Sequence, residues 1–235
     1  ATGWLKRTYR AVVPVRVRQS LAVDRLKRWW IACLPHDAVY DKDYYLNVVD
    51  KAAAASAEVI ADSISVDLRP TTVIDVGCGA GALLVALRGR GATVAGLEYS
   101  AAGLEICRER NLDVRRFDLE RDVFDSGESF DVAVSMEVAE HLPEGVADRY
   151  VALLARIAPC VVFTAAPPGQ GGTDHVNEQP RSYWVEKFRR HGFETRAELA
   201  AKWSAEWKRR DVVGWYWMNL MVFERTSCRR NDVVE

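Results

Sequence analysis

Two short segments hold the residues best suited to chemistry. Glu137-Val138-Ala139-Glu140-His141 puts two carboxylates and an imidazole within five positions. If the segment opens a helical turn, 137, 140 and 141 stand at i, i+3 and i+4 and share a face. Such a set can bind a divalent cation, and its oxygen content suits Mg²⁺ or Mn²⁺. The second segment, 173–180, sets His175 beside Asp174, the usual way to hold an imidazole in one tautomer for proton abstraction. His36 and His191 lack such company, and His191, before Gly192, has the place of a helix C-terminal residue.

A third segment reads as a binding turn. Val73-Ile74-Asp75-Val76-Gly77-Cys78-Gly79-Ala80-Gly81 is a buried strand running into a glycine-rich turn, where the backbone can approach a ligand closely. The third glycine comes one residue earlier than in the dinucleotide fingerprint. Acids then recur at strand ends. Asp75 precedes the turn, Glu98 closes the second strand at the place of a ribose ligand, and Asp118, followed by Leu119, closes the third. Several acids without a compensating base make poor company for a pyrophosphate. They suit an adenosine that carries a cationic group.

The elements that must hold these segments alternate. Apolar strand-like runs are 72–76, 93–98, 113–117, 130–136 and 160–165, with helical stretches over 47–65, 83–88, 101–109 and 147–157. This order predicts an α/β fold with a parallel sheet covered on both faces. Two further strands are expected at 194–200 and 215–223, with no helix between them, forming a hairpin at the sheet edge. Residues 167–172, Pro-Pro-Gly-Gln-Gly-Gly, read as a loop after the fifth strand, placing His175 at the same edge as 137–141. A helix is expected from about Ser182.

Residues 71–224 resemble the class I S-adenosylmethionine-dependent methyltransferases, through VIDVGCGAG (73–81), GLEYS (96–100), FDLE (117–120) and FDVAVSMEVAEHL (130–142). The resemblance implies a Rossmann-like seven-stranded sheet, mostly parallel, with helices on both faces and an antiparallel last strand. It implies S-adenosyl-L-methionine against Gly77, Gly79 and Gly81, with Glu98 and Tyr99 at the ribose and Asp118 and Leu119 beside adenine. Asp75, Met136 and Glu137 complete the implied cofactor set. The E-x-x-E-H pattern is similar to that of ubiquinone-biosynthesis O-methyltransferases and of small-RNA terminal 2′-O-methyltransferases, where it is associated with a metal. In the RNA enzymes a further His completes the ligand set, which makes Glu137, Glu140, His141 and His175 the expected metal ligands. The same pattern also occurs where no metal is evident, leaving His141 or His175 as base, with Glu140 alongside.

Composition narrows the acceptor. The chain of 235 residues is 49% hydrophobic, enough to fill a core, and carries a net charge of −1. Residues 1–30 hold eight basic residues and one acid, a charge of +7, so the remaining 205 carry −8. An N-terminal basic helical arm over 1–46 is therefore expected to cap the methyltransferase domain of 47–235, close over its substrate, or touch an anionic membrane surface. Nucleic acid is disfavoured as a partner by the −8 of the main body. No apolar run reaches the ~18 residues of a membrane helix, and five scattered cysteines suggest a reducing cytoplasm. The start, Ala1-Thr2-Gly3, looks trimmed. Oxygen is favoured as the methyl acceptor, because His141, His175 and the carboxylates can take a hydroxyl proton. The expected substrate is a small molecule, first a sugar hydroxyl of a glycan or glycosylated natural product. The 162–193 stretch resembles methyltransferases of such pathways, and several of the eight tryptophans suit a sugar ring. A phenolic or quinone precursor comes next, then RNA ribose. A non-enzymatic scaffold subunit is the reading outside catalysis.

Overall fold

The computed structural model describes residues 50–228 apart from Ser126 and Thr173, so the basic arm expected over 1–46 lies outside the described residues. Helix α1 spans Asp50–Asp67 and leads into strand β1, Thr72–Val76. There follow α2 (Ala82–Gly89), β2 (Thr93–Glu98), α3 (Ala101–Glu109), β3 (Val114–Arg116) and β4 (Val132–Met136). Helix α4 (Ala147–Ile157), β5 (Cys160–Thr164), α5 (Arg181–Arg190) and β6 (Phe193–Thr195) come next. The last elements are α6 (Ala197–Arg209), α7 (Gly214–Asn219) and β7 (Met221–Arg225). The seven strands lie in the order β3-β2-β1-β4-β5-β7-β6. Neighbours from β3 to β5 pair in parallel, and β7 runs antiparallel to both β5 and β6.

Short runs of β-branched residues, buried on both sides, make the central strands. Their side chains alternate between two apolar layers, as strand geometry requires. Ala133, Val161, Phe163 and Phe223 enter the layer of α4 and α5, with Tyr150, Leu154, Trp184 and Phe188. Val132, Val134, Val162 and Val222 enter the opposite layer, with Ile60 and Ile64 of α1, Leu87 of α2, and Trp203 and Trp207 of α6. Ser135 is the polar exception in β4. Its hydroxyl donates to Val76 O at 2.9 Å and shares a short hydrogen bond with the Tyr150 hydroxyl, so the buried oxygen is satisfied.

The edge beyond β5 differs from the expected hairpin. The sequence there reads as two strands, but residues 197–209 form α6 and 214–219 form α7. Trp203 and Trp207 sit one helical turn apart, stacked with centroids 5.9 Å apart, and face α1. Their ring N–H groups donate to Asp67 at 2.6 Å and to Ser63 at 2.9 Å. This i, i+4 spacing is a helix signal that aromatic β-propensity masks. β6 and β7 still pair antiparallel at the edge, joined through two helices instead of a tight turn. Because β7 is reversed, it starts at the carboxyl edge of the parallel strands, which leaves α7 on that edge.

Candidate active site

The turn after β1 is built from left-handed backbone. Gly77, Gly79 and Gly81 have φ of +80°, +56° and +75°. At Gly77 a Cβ would lie 2.5 Å from Val138 Cγ2, so side-chain room as well as φ demands glycine. The turn is fastened to β2. Gly77 and Cys78 N–H donate to Leu97 O at 2.8 and 3.2 Å. Glu98, buried at 7% exposure, accepts from Gly79 N–H at 2.7 Å through Oε2. Its Oε1 accepts from Tyr99 and Ser100 N–H at 2.9 and 2.7 Å. The carboxylate expected to meet a ribose is thus also the clasp between the glycine-rich turn and the start of α3.

The other acids of the cofactor set take distinct places. Asp75 is buried below the turn, where burial, helped by the Glu98 charge, pushes its carboxyl up to about 7. Asp118 closes a small turn of its own, accepting from Glu120 N–H at 2.9 Å and facing Arg121 at 3.7 Å. Leu119 packs against the α4–α5 layer, and Met136 against the α1–α6 layer. Tyr99 lies beneath the Arg116 guanidinium, 5.0 Å from its ring centroid.

After β4 the backbone turns sharply. Glu137 has φ +55°, held because its N–H bonds both Thr164 O at 3.1 Å and Thr164 Oγ1 at 2.9 Å. Residues 139–141 form a single 3-10 turn, so Glu137, Glu140 and His141 do not share one helical face. Gln170 Nε2 donates to Glu137 Oε2 at 3.1 Å and Asn219 Nδ2 to Oε1 at 3.1 Å, with Asn219 also on Gln170 Oε1 at 2.9 Å.

The structure instead gathers three of the four expected ligands. Glu140, His141 and His175 each offer one ligand atom, all within 4.8 Å of one another. The two imidazoles meet edge to face, with centroids 4.9 Å apart. Glu140 is fully buried, and neither of its carboxylate oxygens has a hydrogen-bond partner. Burial and the adjacent Glu137 charge push its carboxyl far up. An orphaned buried carboxylate beside two imidazoles either keeps its proton or meets a cation.

The histidines are oriented by partners other than those expected. The Asp174 carbonyl oxygen is 3.2 Å from His141 Nδ1, and Asp174 itself has φ +63°. His175 Nδ1 pairs with Glu178 Oε1 at 2.9 Å, three residues on. His191 caps the C-terminus of α5, as expected. Sequence reasoning missed Gln170, Glu178, Tyr216 and Asn219. Tyr216 lies one turn before Asn219 on α7, and burial with the charges of Glu137, Asp75 and Glu140 pushes its phenol up. The signal for Glu178 was its i+3 spacing from His175 in a loop whose glycines leave N–H groups to satisfy.

The strand order with a reversed β7, the glycine-rich turn after β1 and the acid closing β2 define a Rossmann-like methyltransferase fold. Residues 74–158 match the family described as "Methyltransferase domain". The chain is 28% identical over 193 residues to a ubiquinone biosynthesis O-methyltransferase of Hahella chejuensis, covering 79% of this chain and 71% of the relative. It spans about half the length of further curated relatives with the same description, such as that of Nitrosomonas europaea, 34% identical over 52% of this chain and 51% of the relative. Among solved structures, magnesium protoporphyrin IX methyltransferase from Synechocystis PCC 6803, with S-adenosylmethionine bound, superposes with a TM-score of 0.55 at 18% identity, covering 89% of this chain and 93% of that one. Residues 74–158 thus carry a methyltransferase domain, and the chain is similar in sequence and fold to S-adenosylmethionine-dependent methyltransferases.

Proposed function

We propose that the protein transfers the methyl group of S-adenosylmethionine to a hydroxyl oxygen of a small molecule. The observation that carries this reading is the meeting of buried Glu140 with His141 and His175 within 4.8 Å, just past β4. A sulfonium is already an electrophile, so the chain's tasks are to align the acceptor with it, exclude water and take up a proton. The Gly77–Gly81 turn, Glu98, Tyr99, Asp118 and Leu119 would hold the cofactor, with Asp75, Met136 and Glu137 beside its cationic end. Four carboxylates, of Asp75, Glu98, Glu137 and Glu140, suit that positive charge. As the methyl moves from sulfur to oxygen, the hydroxyl proton passes to a lone-pair nitrogen, for which His175 is best arranged. Its Nδ1–H donates to Glu178, whose carboxylate stabilises the imidazolium formed.

The cluster also fits a divalent cation, because both Glu140 oxygens are buried without partners. Glu140, His141 and His175 would be its ligands, and an ion there would acidify a bound hydroxyl. With Glu137 held by Gln170 and Asn219, the set is two nitrogens and one carboxylate, which suits Mn²⁺ better than Mg²⁺.

For the acceptor, a phenolic or quinone-precursor hydroxyl is favoured. Trp215 and Met218 of α7 and Val176 beside His175 are 42%, 54% and 59% exposed, an apolar rim on the two segments that reach the site. The description of the curated relatives points the same way. A sugar hydroxyl is the second reading, supported by the exposed Trp215 indole, on which a pyranose face can stack.

The test is transfer of labelled methyl from S-adenosylmethionine into a host-cell extract separated into small-molecule, glycan and RNA fractions. Label is expected in the small-molecule fraction and should fall about 10²–10⁴-fold in His175→Ala, the range for a lost general base. Label confined to RNA would refute the acceptor class. Full turnover in the presence of EDTA would refute the metal and leave His175 as a plain base.

A further inference from the structure

Glu178 lies outside every motif that marks the cofactor or the E-x-x-E-H turn, yet its carboxylate gathers three N–H groups of its own loop. Oε2 accepts from Gly169 N–H at 2.8 Å, and Oε1 accepts from Gly171 N–H at 2.7 Å and from His175 Nδ1 at 2.9 Å. The side chain is 19% exposed and that of His175 is 10% exposed, so these charge-assisted bonds are sheltered from water. A carboxylate offers only acceptor oxygens, so all three contacts need an N–H pointed at Glu178.

Two consequences follow for the side chains the loop presents. Gly169 and Gly171, with φ of +88° and +69°, flank Gln170, whose amide reaches Glu137 Oε2 at 3.1 Å. Fixing the two glycine N–H groups therefore fixes Gln170 between them. Beyond the glycines, Gly172 packs so closely on the imidazole that a Cβ there would lie 2.2 Å from His175 Nε2. The ring has one seat in the loop, and Glu178 decides which nitrogen carries the proton in that seat.

We propose that Glu178 is the positioning residue of the methyl-transfer site, setting His175 as the Nδ1–H tautomer and, through the same carboxylate, aiming Gln170 at Glu137. This rests on the reading of His175 as the group that receives the acceptor proton or ligates a metal beside it. Glu178 acts through His175 and through the loop, and need not touch substrate. A glutamine in its place keeps the shape but has one acceptor oxygen for three donors, and its own N–H₂ group faces an N–H.

The test has a spectroscopic arm and a kinetic arm. Long-range ¹⁵N–¹H spectra of the histidine rings in the full-length protein should show His175 with its proton on Nδ1, and Glu178→Gln should abolish that single signature. With labelled S-adenosylmethionine and the same host-cell extract, Glu178→Gln should lose about 10–100-fold in turnover, the range for a lost orienting partner. Its affinity for S-adenosylmethionine by calorimetry should stay within twofold of wild type. Combined with His175→Ala it should add less than its loss alone, because part of its effect acts through the ring already removed. A wild-type His175 protonated on Nε2, a Glu178→Gln variant with wild-type turnover, or fully additive losses would each overturn the proposal alone. Wild-type turnover in His175→Ala would instead remove the underlying reading, and the proposal with it.

Discussion

Asp75 and Glu140 are both carboxyls pushed upward by burial, but they differ in what their ionisation would report. Asp75, raised to about 7, holds a proton at pH 6 that an unfolded chain, with an ordinary aspartate near 3.9, would have released. Its contribution to stability is therefore full below about pH 4 and declines as pH rises toward 7. A cationic ligand above it favours the charged form. Binding of S-adenosylmethionine at pH 6 should thus release up to about one proton, seen as a calorimetric enthalpy that varies with the ionisation enthalpy of the buffer. Asp75→Asn should abolish that variation, and a buffer-independent enthalpy in the wild type would contradict the assignment. Glycine 77 offers a second residue-scale test, because its strain has two sources. Gly91 has φ +91° but open space around its Cα, whereas Gly77 combines φ +80° with Val138 at 2.5 Å. Gly91→Ala should cost about 1–3 kcal/mol from backbone strain alone. Gly77→Ala should cost more, by about the 1–3 kcal/mol of overpacking, in denaturant melts. Equal losses would remove Val138 from the account.

At the scale of elements, the contrast lies between those before β5 and those after it. β1, β2, α3 and α4 were legible to the residue, the strands as short apolar runs and the helices from apolar residues at helical spacing. Ser100 shows how local the signal is, for it caps α3 by accepting from Gly103 N–H at 3.4 Å. The segments after β5 were misread where aromatic residues carry helical spacing. Trp215, Tyr216 and Trp217 resemble a strand by composition, yet they form the short helix α7. For the site, the acids at the strand ends were legible as types, but their partners were not. Nothing in the order of residues announces that Asn219 binds Glu137 across 82 positions, or that Glu178 pairs with His175. Helix α7 is the element on which acceptor binding should depend. Trp215→Ala should raise the acceptor KM about tenfold, the loss of about 1–2 kcal/mol expected for an exposed aromatic contact, with S-adenosylmethionine affinity unchanged. A KM equal to wild type would take α7 out of the acceptor site.

For the whole molecule, the first described helix is sewn to a helix near the far end of the chain. Helix α6 runs antiparallel along α1, with Lys202 and Trp203 on Asp67, Trp207 on Ser63 and Arg210 on Asp62. Asp67 is held below the usual carboxylate range by these donors, although burial opposes it. The ion pairs are largely exposed and worth little singly, but the two indole N–H bonds join α1 to fully buried rings. Residues 50–228 should therefore melt as one unit, with tryptophan fluorescence and far-ultraviolet circular dichroism following the same denaturant curve. Asp67→Ala should shift both curves together by about 1–3 kcal/mol, because it strands a buried donor. Separate transitions would mean that the β6–α6–β7 edge is an independent folding unit.

The reversal of β7 has a consequence for how such a chain can change over time. The region that matches the methyltransferase family ends at residue 158, and it contains the glycine-rich turn, the acids at the strand ends and the E-x-x-E-H turn. Everything that reaches the acceptor from the other side, the 167–178 loop and α7, is delivered by the following seventy residues as they run out to β6 and back along β7. On the reading proposed above, donor and acceptor are thus written in consecutive halves of the text. On that reading the second half can be redrafted for a new hydroxyl while the first is copied unchanged, provided the links across the join still rhyme: the β4–β5 ladder, Glu137 N–H on Thr164, Val176 and Asn177 N–H on Glu140 O, Gln170 and Asn219 on Glu137, and His175 packed on His141.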